Sequence, residues 1–75
     1  MDKDTFINSV TSLFEVTPAD ELDWKTEFKK LEEWDSLLAL EIIAMVDEEF
    51  DIEISGDDIR EAKTLNDLYS IAKSK

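Results

Sequence analysis

Nucleophilic and acid–base chemistry in this chain must come from hydroxyls, carboxylates and amines, because there is no cysteine and no histidine. The missing histidine removes the commonest general base and the commonest metal ligand. A Ser-His-Asp triad cannot be assembled. Without cysteine there is no disulfide framework, no thiolate metal site and no thiol nucleophile. Carboxylates are plentiful, 20 Asp and Glu in 75 residues, but nothing predicts a cleft that would perturb their pKa values. An enzyme is therefore not expected. Asp51, Glu53, Ser55 and Gly56 fall at positions 1, 3, 5 and 6 of a calcium-binding loop, yet position 12, which needs a bidentate Glu, is Ala62. No metal-ligand set is assigned. One hydroxyl stands apart. Ser36 follows Asp35 at the head of a long apolar run, where a loop meets a helix. By itself such a serine reads as a helix cap. No strong base lies beside it, so it is not expected to act as a nucleophile unaided.

The elements that must hold Ser36 in place are helices. One Gly and one Pro are too few for a turn-rich β architecture. A first helix is predicted from about Asp4 to Glu15, with Phe6, Val10, Leu13 and Phe14 on one stripe and Asp2 or Asp4 as its cap. Pro18 breaks that pattern and starts a turn through Glu21, with room for a short helical turn. Residues 20 to 35 have no clean period, and a connection of that length is often functional. Leu22, Trp24, Phe28, Leu31 and Trp34 are expected to pin it across the helices. The second helix is predicted from about Ser36 to Phe50, capped by Asp35 or Ser36. A short extended piece through Ile52 and Ile54 leads to a third helix, opened by Ser55-Gly56-Asp57-Asp58 and ending near Ala62. Thr64 caps a fourth, from about Leu65 to Lys73. The expected fold is all-α: a small four-helix bundle with a long first loop and a short third helix. Residues 1–75 hold one domain at most.

The second helix has two apolar faces where one is usual. At 100° per residue, Leu38, Ala39, Ile42, Met45, Val46 and Phe50 share the core side. Leu37, Leu40, Glu41, Ala44, Asp47 and Glu48 lie opposite, and Ile43 falls between. A surface helix is normally polar there. Either the long loop covers Leu37, Leu40 and Ala44, or they form a docking strip with an acidic rim, the anatomy of a transient interface. Charge favours basic partners. The net charge is −12, and from Leu31 to Ile59 there are eleven acidic residues and no Lys or Arg. Such a surface repels nucleic acid and anionic membranes. It also serves solubility alone. No run approaches the roughly 20 apolar residues of a membrane span, and Met1-Asp2-Lys3-Asp4 lacks the start of a signal peptide. The expectation is a soluble, cytoplasmic monomer.

Asp35-Ser36-Leu37, with Glu41 on the same helix and Glu48-Glu49-Phe50 near its end, resembles the Asp-Ser-Leu region of acyl carrier proteins. The likeness covers nearly the whole chain, through Asp51-Ile52-Glu53-Ile54 and the last helix from Thr64. It implies a single acyl carrier domain. Ser36 would accept 4′-phosphopantetheine from coenzyme A as a phosphodiester, added by a phosphopantetheinyl transferase. Asp35 would help hold that enzyme's metal ion. Leu37, Glu41, Asp47 and Glu48 would match the family's recognition face, with Leu40 and Ala44 beside them, for acyl-loading and acyl-using enzymes with basic docking patches. A new phosphate on Ser36 would sit near the helix's positive dipole end and free amides. The arm's thiol would supply the sulfur the chain lacks. Phe28, Leu31, Ile42, Val46, Ile54, Ile59, Ala62 and Leu68 are candidates to shelter an acyl chain. Many members have glycine three residues before the serine, where this chain has Glu33, followed by Trp34. That departure points to a specialised polyketide, lipid-modification or aminoacyl pathway as readily as to fatty-acid synthesis. The competing reading is an acidic adaptor that uses the second helix without a cofactor.

Overall fold

Each helix begins where a short polar side chain can take an orphan amide. In the computed structural model, which describes residues 1–75, Asp2 accepts from the Thr5 amide at 2.9 Å and opens α1, Lys3–Thr11. Asp35 opens α2, Ser36–Phe50. Ser55 and Asp58 form a reciprocal capping box that opens α3, Gly56–Glu61. Thr64 and Asp67 form another at α4, Leu65–Lys73. There are four α-helices and no strand, so the chain is the all-α bundle expected.

The first helix ends earlier than its apolar stripe suggests. After Thr11 the Leu13 and Phe14 amides bond to Val10 and Thr11, three residues back. This 3₁₀ tightening leaves the α-ladder while still burying Phe14. The long loop holds two short 3₁₀ turns, Ala19–Glu21 and Phe28–Lys30. At the other end of α2, Asp51 adopts a left-handed conformation (φ 56°, ψ 40°) that stops the helix.

Fifteen apolar residues form one core, and no polar side chain is buried with them. α2 packs against α1 and α3, and α4 against α1 and α3. Leu38, Ile42, Met45 and Val46 supply the core face of α2, with Ala39 and Phe50 half-buried at its edges. Leu22 and Phe28 are buried, while Trp24, Leu31 and Trp34 pack half-buried against the core. The loop is thus pinned across the helices, as its apolar content predicts. Tyr69 makes edge contacts with Phe6 at 5.5 Å and with Trp24 at 5.6 Å. Backbone bonds complete the attachment. The first two amides of α4, on Leu65 and Asn66, donate to the loop carbonyls of Thr26 and Trp24 at 3.2 and 3.0 Å. That helix N-terminus is closed by the loop.

Candidate functional site

The N-terminus of α2 is built differently. Asp35 is its cap, with extended backbone (φ −153°, ψ 179°), and its Oδ1 accepts the Leu38 amide at 2.8 Å. Ser36 is therefore the first helical residue and not the cap. Its side chain is exposed and its hydroxyl engages no hydrogen bond within the chain. The amides of Ser36 and Leu37 have no acceptor in the chain, in contrast to the first two amides of α4. Asp35 Oδ2 also has no partner in the chain. One spot thus combines a free hydroxyl, two free amides at a positive helix end and a half-committed carboxylate.

The strip on the outer face of α2 is open. Leu37 is 64% exposed and Leu40 61% exposed. Ala44, Glu41, Asp47 and Glu48 are exposed with them, and Ile43 is half-buried. The long loop runs elsewhere, so it does not cover these side chains. The structure brings together on one helix, and on its solvent side, all six residues the sequence nominates for docking.

Beside this face, an open groove of about 390 Å³ runs between α2 and residues 53–58. Ile43, Ala44 and Ile54 provide its apolar lining, and Asp47, Glu53 and Asp58 its acidic rim. Lys75 reaches it through an ion pair with Asp58 at 2.9 Å. Of the core residues nominated to shelter an acyl chain, Ile54 borders this groove. Phe28, Ile42, Val46, Ile59, Ala62 and Leu68 are packed in the core, and Leu31 lies half-buried at the loop.

Three of the four residues that imitate a calcium loop, Asp51, Ser55 and Gly56, serve the helix ends. Ser55 and Asp58 cap α3, and Gly56 is its first residue. Asp51 terminates α2. No group of three or more acidic side chains converges on a point.

Glu33 has a role that its position in the sequence did not reveal. Its carboxylate accepts the amide of Glu15 at 3.0 Å, that of Val16 at 3.3 Å and that of Thr17 at 2.6 Å. Hydrogen bonding from Thr17, side chain first and then amide, with the Val16 and Glu15 amides, holds this carboxyl below the usual carboxylate range. Trp34, the next residue, stacks edge-on against buried Phe28 at 5.2 Å. The only sequence signal was the departure of Glu33 from the glycine that many members of the resembled family have three residues before the serine.

The donor set at the head of α2 suits a phosphodiester on a serine. The oxygen is reachable, the neighbouring amides are unpaired, and the helix dipole opposes the added charge. No curated protein matches the chain. The sequence does match the family model described as the phosphopantetheine attachment site, over residues 4–71. That span includes all four helices except the edges of the first and last. Members attach 4′-phosphopantetheine covalently to a serine and act as carriers, not as catalysts. By the extent of this match and the fold that accompanies it, the chain belongs to the phosphopantetheine-binding carrier family.

Proposed function

We propose that this protein is an acyl carrier whose 4′-phosphopantetheine arm is attached to Ser36 Oγ, and that residues 1–75 work as one monomeric carrier domain in the cytoplasm. The observation that carries the reading is the open N-terminus of α2, where Ser36 is exposed with its hydroxyl unengaged. The arm supplies a flexible thiol for thioester formation, which the cysteine-free chain cannot supply.

Attachment is a phosphoryl transfer: Ser36 Oγ forms a bond to the pantetheine-bearing phosphorus of coenzyme A, the pyrophosphate P–O bond breaks, and adenosine 3′,5′-bisphosphate leaves. The chain has no histidine to take the hydroxyl proton, and no side chain hydrogen-bonds to Ser36 Oγ. The transferase provides that base. The absence of any partner on Asp35 Oδ2 within the chain supports the part assigned to Asp35, helping to hold that enzyme's metal ion. The free amides of Ser36 and Leu37 then face the new phosphate.

Docking uses the outer face of α2. Leu37, Leu40 and Ala44 provide the apolar anchors, and Glu41, Asp47 and Glu48 steer partners with basic patches toward them. Those partners are the transferase and the enzymes that load and use the acyl group. The carried group belongs to fatty-acid, polyketide or a specialised lipid or aminoacyl pathway. The groove beside Ile54 is the place on this face where part of an acyl chain would find apolar contact, with Ile43 and Ala44.

The test is intact mass after incubation with coenzyme A and a competent transferase. The expected result is a gain of one phosphopantetheine, lost in Ser36→Ala. A gain that persists in Ser36→Ala would remove the assignment.

A further inference from the structure

Three consecutive amides converge on one side-chain carboxylate between residues 15 and 17. Successive backbone N–H groups that point one way form a cradle for an anion. Here the anion belongs to the chain itself, contributed by Glu33 from 16 to 18 residues away. The bridge ties the loop that follows α1 to the segment that enters α2. On its other side that segment is held by Trp34, whose ring meets Phe28 and whose amide donates to the Leu31 carbonyl at 3.0 Å. Two adjacent side chains thus anchor the approach to Asp35 and Ser36 from two directions.

We propose that Glu33 is a positioning residue for modification of Ser36, bridging the loop that follows α1 to the segment before Ser36 so that this surface is preformed for the transferase. The proposal rests on the reading of Ser36 as the acceptor. Glu33 is not deeply buried, and water can replace its hydrogen bonds to the exposed Glu15 and Val16 amides. Its main effect is therefore on geometry, with a smaller one on stability. A partner that docks on an ordered loop does not have to order it during binding. Loosening the bridge weakens docking and leaves the transfer step itself unchanged.

Two variants separate reach from charge. Glu33→Asp keeps the charge but is one methylene short of the cradle, and Glu33→Ala loses both. The full chain, in each form, is assayed with coenzyme A and one transferase. Both variants are expected to raise the KM for the carrier by roughly 3- to 10-fold, the scale of ordering a few interface groups, with kcat unchanged. Amide exchange at Glu15, Val16 and Thr17 quickens in both. Thr64→Ala serves as the stability control, since it removes a cap on α4 away from this segment, and its KM stays at the wild-type value. Wild-type KM in both Glu33 variants would overturn the proposal. So would recovery in Glu33→Asp alone, which would assign the effect to charge, or an equal rise in Thr64→Ala, which would assign it to stability. Modification that survives Ser36→Ala would instead remove the reading beneath the proposal, and is recorded separately by mass.

Discussion

Asp35 commits Oδ1 to the Leu38 amide and leaves Oδ2 without a partner in the chain. Asparagine caps helices about as well as aspartate, and alanine does not. Asp35→Asn is therefore predicted to melt near wild type while its modification slows. Asp35→Ala is predicted to lose about 1 kcal/mol of stability as well. Thermal unfolding and modification rate, measured side by side, check both. Ser36 itself was legible because its type, its neighbour and its place before an apolar run all sit within a few residues. The identity of the cap was not, since aspartate and serine are both capping residue types and geometry alone decides between Asp35 and Ser36. Glu33 was illegible in function for another reason. Its partners are the amides of Glu15, Val16 and Thr17, and backbone amides have no residue signature to read.

On α2 the two faces predict opposite responses. Ile42 is fully buried, and truncation to alanine should cost about 2–5 kcal/mol. Leu40 is mostly exposed, so Leu40→Ser should leave stability within about 0.5 kcal/mol. The same substitution should weaken transferase docking, read as a higher KM with an unchanged melting temperature. Loss of stability in Leu40→Ser would show that the strip is covered after all. The bounds of α2 and α4 matched their sequence signals because caps at Asp35 and Thr64 coincide with clean apolar periods. α1 did not, because Leu13 and Phe14 keep helical spacing through a 3₁₀ turn that is no longer α-helix. The loop was legible as pinned, from its apolar content. Its route was not, since the bonds from Leu65 and Asn66 to Thr26 and Trp24 join backbone to backbone.

For the molecule as a whole, salt acts in two directions. A net charge of −12 repels itself, and screening relieves that repulsion. Added salt at pH 7 should raise the melting temperature and, at the same time, weaken binding to basic partners. Acid acts through four carboxylates, Asp2, Glu33, Asp58 and Asp67, each lowered in the fold mainly by hydrogen bonds to its ionised form. A lowered folded pKa lends stability that is complete above the ordinary values, 3.8 for Asp and 4.5 for Glu. It is lost as pH falls through the lower folded values. With repulsion screened by salt, denaturant melts should therefore show stability falling as pH drops below about 4. A flat profile there would contradict the hydrogen bonding described for these groups. The central claim is that one serine, Ser36, receives the arm. Its most direct test is to fragment the modified protein and locate the phosphodiester by tandem mass spectrometry. The account predicts the added mass on Ser36 alone; finding it on Ser9, Ser12, Ser55, Ser70 or Ser74, or finding none with a competent transferase, would contradict it.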